Sequence, residues 1–236
     1  MKWTKIGVIV PSSNTTVERE FNRVFKEPDF TVHTSRIILP DVTLKSLEEM
    51  EKETERASIE LKTAKVDIIA YACTTGSLFK GPNHHELIKR RIEEKTGIKA
   101  VATSGSVTKA LRALDASKVL VVTPYIEELN EKEKQFLEAN GFEVVNIKGM
   151  GIVDNTQIGK LEPDYSYSFI LNVAKSTNKY DALFISCTNW RTFEIIDKLE
   201  KELNKPVISS NSATLWDIVR RLQVDVQVKL GTLFLK

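Results

Sequence analysis

Short β-branched apolar runs alternate along this chain with stretches in which apolar residues recur every three or four positions. The runs fall at Ile6–Val10, Val32–Leu39, Val66–Ala72 and Ala100–Thr103, then at Val119–Val122, Phe142–Ile147, Ala182–Ser186 and Pro206–Ser209. They are almost continuously apolar, as expected of parallel strands covered on both faces. The intervening patterns predict amphipathic helices over Val17–Phe25, Leu44–Lys65, His85–Lys95, Glu128–Ala139, Ser166–Lys175 and Thr192–Leu203. Strand–helix alternation of this kind predicts the α/β class, with parallel sheets flanked by helices. Thr15-Thr16-Val17-Glu18 reads as a capping box, and Gly97 and Gly141 stand where left-handed C-terminal caps are expected.

The eight strands divide into four plus four. Pro11 and Pro124 end the first and fifth strands, 113 positions apart. Asp41 and Asp154 keep that spacing, as do Thr43 and Thr156. "DIIAYACT" then matches "DALFISCT", with Cys73 and Cys187 at a spacing of 114. The fourth strands end alike, in "ATSGSVTKAL" and "ISSNSATLWDI". Matches confined to strand ends, and including both cysteines, indicate a duplicated unit. The expected domains are residues 1–105, joined by the C-terminal segment 212–236, and residues 106–211. Each is a pseudosymmetric four-stranded parallel sheet with helices, and the tail from Val224 returns toward the first.

Composition narrows the functional classes. The 236 residues include 34 basic and 32 acidic side chains, a net charge of +2. Basic runs such as "IKRRIEEK" are interleaved with glutamate and lack the one-signed stripe of a nucleic-acid site. The N-terminal apolar run is too short for a signal peptide and is broken by Pro11. No apolar stretch approaches the roughly 20 residues that span a bilayer. The expectation is a cytoplasmic protein without membrane or nucleic-acid partners, its thiols reduced rather than paired. Two cysteines with His33, His84 and His85 scattered over a strand and a helix start do not make a metal site.

In open parallel sheets, ligands bind beyond the carboxyl ends of the strands. This sequence concentrates polar residues there: Pro11-Ser12-Ser13-Asn14, Cys73-Thr74-Thr75-Gly76-Ser77, Thr123-Pro124-Tyr125, Asp154-Asn155-Thr156 and Cys187-Thr188-Asn189. A lone cysteine at such a place is usually a small buried hydrophobe. Two at equivalent repeat positions, each followed by threonine, point instead to thiols flanking one ligand in the interdomain cleft. A helix N-terminus behind each is expected to lower its pKa. Blander roles stay open for the others: a helix cap for Ser12, Ser13 and Asn14, a core aromatic for Tyr125, a turn for Asn155, and surface ion pairs for Arg36 and Arg191. Dinucleotide-binding, Walker A and GxSxG signatures are missing from the sequence. Two thiols suit nucleophilic addition with proton transfer, or acid and base work on opposite faces of one carbon.

The blocks "GVIVPSSNTTVE", "YACTTGS", "VTPYIEELNE", "DNTQIG" and "SCTNWRT" resemble maleate cis-trans isomerases. These belong to the aspartate/glutamate racemase superfamily and lie near arylmalonate decarboxylase. The resemblance runs from Ile6 to about Ser212, and "PSSNTTVE" is its most specific block. It implies Cys73 as nucleophile and Cys187 as proton donor. Asn14, Tyr125 and Asn155 would hold the substrate carboxylates, with Thr74, Thr75, Thr188 and Asn189 as further donors. It implies a small dicarboxylate substrate and no cofactor or metal, and leaves a homo-oligomer open. Arylmalonate decarboxylases resemble the chain but carry glycine at the first cysteine position, so Cys73 argues against decarboxylation. A two-cysteine aspartate, glutamate or hydantoin racemase is the alternative, followed by a decarboxylase-like lyase and a non-catalytic dicarboxylate-binding module. Departures at "TTGSLFKG" and "TNWRTF" leave the size of the enediacid open.

Overall fold

A computed structural model describes residues 3–236. In chain order the elements are β1 (Thr4–Pro11), α1 (Val17–Asn22), β2 (Phe30–Ile37), α2 (Leu44–Lys52), α3 (Thr54–Thr63), β3 (Ile68–Tyr71), α4 (His84–Thr96), β4 (Ala100–Ala102) and α5 (Thr103–Ala113). They continue with β5 (Lys118–Thr123), α6 (Glu127–Ala139), β6 (Glu143–Gly149), α7 (Asn155–Gly159), α8 (Pro163–Ser176), β7 (Ala182–Ile185), α9 (Ile196–Leu203), β8 (Val207–Ser209) and α10 (Ser210–Leu222). The strands form two four-stranded sheets, ordered β2-β1-β3-β4 and β6-β5-β7-β8, and every strand pair is parallel. The duplication read from residue spacing is therefore a duplication of topology. Both sheets bury both faces. On β1, Ile6, Val8 and Val10 join one apolar cluster, while Ile9 joins another with Leu47, Met50, Leu61 and Ile88 of the covering helices.

Two helices absent from the sequence reading knit the halves together. α5 follows the first sheet, yet its Val107, Ala110 and Leu111 pack with Val119, Val121 and Phe184 of the second. α10 follows the second sheet, and its Leu215 and Ile218 pack with Ile6, Val8 and Val10 of the first. Both open on Ser, Thr, Gly and Asn, which are poor helix formers, so local propensity hides them. α10 is held by a reciprocal cap between Ser209 and Ser212 and by burial along most of its length. The tail lays Val224, Val226 and Val228 against the first-half cluster.

Other expectations change in detail. The pattern over Leu44–Lys65 is two helices meeting at Glu53, because they face different neighbours. Met50 of α2 reaches toward Gly76, whereas Glu60 of α3 accepts from Ser35 of β2. The Thr15–Glu18 capping box does not form. Asn14 caps α1 instead, its Oδ1 accepting from the backbone N–H of Thr16 at 2.9 Å and of Val17 at 3.0 Å. The Thr16 hydroxyl is drawn away to the Asn189 carbonyl, and Glu18 pairs with Arg36. Gly97 and Gly141 both take positive φ at helix ends, as expected. Among the described residues, no helix is long and apolar enough to cross a membrane.

Candidate active site

β3 and β7 are inner strands of their sheets, and each leads into a cysteine. After Tyr71 the chain passes Ala72 and Cys73 into a 3₁₀ turn over Thr75–Ser77. That turn aims the Gly76 N–H at Cys73 Sγ, 3.4 Å away, with the Thr75 hydroxyl 3.9 Å from the same sulfur. Position 76 leaves little room for a side chain. A Cβ there would lie 2.6 Å from Met50 Cε and 3.0 Å from both Cys73 Sγ and the Tyr71 hydroxyl. After Ile185 the chain passes Ser186 to Cys187, whose φ is +112°. A non-glycine residue there carries backbone strain, on the order of 1–3 kcal/mol. Its surroundings hold it in place: the Cys187 N–H donates to Ser210 Oγ at 3.0 Å, and the Asn189 N–H points at Cys187 Sγ from 3.4 Å.

The two cysteine loops are tied to each other. Ser210 Oγ, already accepting from Cys187, also accepts from the Thr74 hydroxyl at 2.8 Å. The Thr188 hydroxyl donates to the Ala72 carbonyl at 3.1 Å and accepts from Asn14 Nδ2 at 3.1 Å. Asn189 bridges the halves: its Oδ1 accepts from the Thr15 N–H at 2.9 Å and its Nδ2 donates to the Asn155 carbonyl at 2.7 Å. Asn155 Nδ2 donates to Ser13 Oγ at 2.8 Å. Tyr125 is buried with its hydroxyl against the Cys187 thiol. All nine residues singled out from the sequence thus lie in one connected region. Arg191 stands outside it, and Arg36 touches it only through the Asn14 backbone. Arg36 binds the Ser12 and Asn14 carbonyls and pairs with Glu18, while Arg191 pairs with Glu162. His85 packs edge-on to Phe136, away from both thiols.

The electrostatics overturn one expectation. Cys73 and Cys187 are free thiols exposed by 4% and 5%, and burial pushes them up to about 11 and about 12. The Gly76 and Asn189 N–H groups pull the other way but do not prevail. The reason is geometric. Cys73 meets a single 3₁₀ turn rather than a long helix, and among the described residues no lysine, arginine or histidine acts on either sulfur. Tyr71 and Tyr125 are likewise driven well above the ordinary phenol by burial.

Several polar residues of this region were not singled out. Glu20 of α1, buried and raised to about 7 chiefly by desolvation, accepts from the N–H groups of Thr192 and Phe193 and from Asn211 Nδ2. Asn211 also donates to the Thr188 carbonyl at 2.9 Å. Glu133 of α6 is buried and raised to about 8, again by desolvation. Glu20 and Glu133 are 113 positions apart, the offset that relates Pro11 to Pro124. That spacing was the signal that could have found them. Among the described residues, no group of three or more His, Cys, Asp or Glu could hold a metal ion.

Comparison with known proteins places this geometry. A family model described as arylmalonate decarboxylase matches residues 6–234. The maleate isomerase of Nocardia farcinica is 32% identical over 235 residues, covering 95% of this chain and 92% of that protein. The maleate isomerase of Geobacillus stearothermophilus is 30% identical over 240 residues, covering 96% and 95%. Among solved structures, a cysteine-to-alanine variant of the Pseudomonas putida S16 maleate isomerase with maleate superposes with a TM-score of 0.92. It is 28% identical and covers 98% of this chain and 97% of that one. A cysteine-to-serine mutant of the Nocardia farcinica enzyme, bearing a covalently bound succinylcysteine intermediate, also gives 0.92 at 28% identity, covering 98% of each chain.

Proposed function

We propose that this chain, which belongs to the arylmalonate decarboxylase family, is an isomerase converting maleate to fumarate through a covalent cysteine adduct. The observation that carries the reading is the pair of buried thiols at the ends of β3 and β7, joined through Ser210, in a chain about 30% identical to maleate isomerases. Cys73 is the nucleophile and reacts as the thiolate. With the thiol at about 11, ionising it at pH 7 costs about 5 kcal/mol, which is affordable within an enzymatic barrier. The sulfur bonds to one alkene carbon, and the π pair moves to the other, beside a carboxylate. Cys187 protonates that carbon and becomes the thiolate, supported by the Tyr125 hydroxyl and the Asn189 N–H. The former double bond is now single and rotates. Cys187 takes the proton back, the C–S bond breaks, and fumarate leaves.

The substrate brings two negative charges into a site without a cationic partner for either thiol. Neutral donors therefore carry the recognition: the amides of Asn14, Asn155 and Asn189, the Tyr125 and Thr75 hydroxyls, and the backbone N–H groups of Thr74, Thr75 and Thr188. The Thr74 and Thr188 hydroxyls, whose protons go to Ser210 and the Ala72 carbonyl, hold the two loops together. Most of these already bond to one another, so they are held in place before the substrate arrives. Incubation of the reduced protein with maleate, followed by proton NMR, should show the olefinic signal of fumarate. Cys73→Ala should abolish it. Absence of turnover by the folded wild type, or full turnover by Cys73→Ala, overturns the assignment.

A further inference from the structure

We propose that Glu133 is a positioning residue for the Cys187–Tyr125 wall of the site. Uncharged, it lets a dianionic substrate and a Cys187 thiolate share that wall; ionised, it shuts the reaction down. This rests on the isomerase reading and extends it to a group that reading does not use.

Glu133 lies in the second turn of α6, fully buried. Its Oε1 accepts at 2.6 Å from the hydroxyl of Ser186, the residue directly before Cys187. Its Oε2 is buried without a partner. The equivalent residue of the first half, Glu20, uses both of its oxygens as acceptors. Glu133 is thus the member of the pair with an oxygen left over, and its charge is felt by both Tyr125 and Cys187.

Two things act on the carboxyl: burial, which pushes it up to about 8, and the Ser186 hydroxyl, which pulls it down. Among the described residues, no cation offsets a charge there. Lys132 and Lys134, its neighbours on α6, and Lys148 of β6 do not act on it, and Glu127 is turned to Asn130. The titratable groups that feel it are therefore Cys187 and Tyr125. A carboxylate formed at this point would be a third buried anion beside the substrate, and it would oppose the Cys187 thiolate that forms in each turnover.

The test is the pH dependence of kcat/KM for maleate, which reports groups of the free enzyme. Because Cys73 reacts as the thiolate and its thiol lies at about 11, kcat/KM should rise about tenfold per pH unit below about pH 8. In the wild type that rise should level off above about pH 8, as loss of the Glu133 proton cancels the gain in thiolate. Glu133→Gln should keep rising past about pH 8. Ser186→Ala, which takes away the hydroxyl that favours the carboxylate, should move the levelling-off to higher pH. A levelling-off unchanged in either folded variant overturns the proposal. If Glu133→Gln does not fold, the position of the levelling-off in Ser186→Ala decides alone. If the wild type does not isomerise maleate at all, the isomerase reading fails separately, and a turnover-free readout decides about Glu133. In a Cys73→Ala background, alkylation of Cys187 by iodoacetamide above pH 8 should be several-fold faster with Glu133→Gln than with glutamate. Equal rates overturn the proposal.

Discussion

Replacing Glu20 by glutamine tests how burial and hydrogen bonding compete over one carboxylate. Glu20 accepts from the Thr192 N–H at 2.7 Å, the Phe193 N–H at 3.0 Å and Asn211 Nδ2 at 2.6 Å, with the Thr192 hydroxyl at 3.5 Å. Those donors favour the ionised form. Full burial and the nearby Glu194 oppose it, and burial prevails, raising the group from 4.5 to about 7. An acid whose pKa is higher folded than unfolded binds its proton more tightly in the folded state. Its contribution to stability is complete below about pH 4.5 and is lost as the pH rises through about 7. The span corresponds to about 3 kcal/mol. Glutamine cannot titrate and sets an amide N–H against Asn211 Nδ2, a fixed cost of about 1–3 kcal/mol. Urea unfolding of both proteins between pH 4.5 and 8 should therefore show the wild-type advantage shrinking by about 3 kcal/mol. An advantage that stays constant, or grows with pH, would mean that Glu20 is ionised throughout and that four donors outweigh burial.

Three further outcomes follow from the cysteine loops. Gly76→Ala forces a methyl to within 2.6 Å of Met50 and 3.0 Å of Cys73 Sγ, so it should cost about 1–3 kcal/mol in thermal unfolding and lower kcat sharply; unchanged activity would contradict the geometry. Tyr125→Phe removes a hydroxyl that favours the Cys187 thiolate, and loss of a hydrogen bond to a charge predicts a fall in kcat of about ten- to a hundredfold with little change in KM. A rise in KM alone would instead assign the hydroxyl to the substrate carboxylate. Because Cys187 has a φ of +112°, Cys187→Gly should unfold at a higher temperature than Cys187→Ala, by about 1–2 kcal/mol of stability. The reverse order would show that the backbone there is unstrained.

The eight strands were legible because a parallel strand buried on both faces must be almost wholly apolar, and few other segments of this chain are. The cysteine pair was legible because the repeat placed both thiols at equivalent strand ends. α5 and α10 were not: "TSGSVTK" and "SNSATLW" form helices because two sheets bury them, which no local pattern records. The sequence admits Asn14 both as a cap and as a site residue, and its oxygen caps α1 while its amide reaches Thr188. The state of the thiols departs from the sequence expectation for a physical reason. The turn after Cys73 could be foreseen from the sequence, but the depth at which it is buried could not. Glu20, Glu133, Ser210 and Asn211 act across long stretches of chain, and only the 113-residue offset linked even two of them.

The exchange of helices between the halves bears on how the chain acquires its structure during synthesis. The face of β1 carrying Ile6, Val8 and Val10 is covered by Leu215 and Ile218, some two hundred residues later. The first sheet is thus among the earliest parts made and among the last to be enclosed. Until α10 emerges, that face is covered only in part, by Val17 and Phe21 of α1, and α5 waits likewise for the second sheet. A single ancestral copy with this topology could have buried its last helix only on a second molecule, so the present chain has the architecture of an exchanged-helix pair joined end to end.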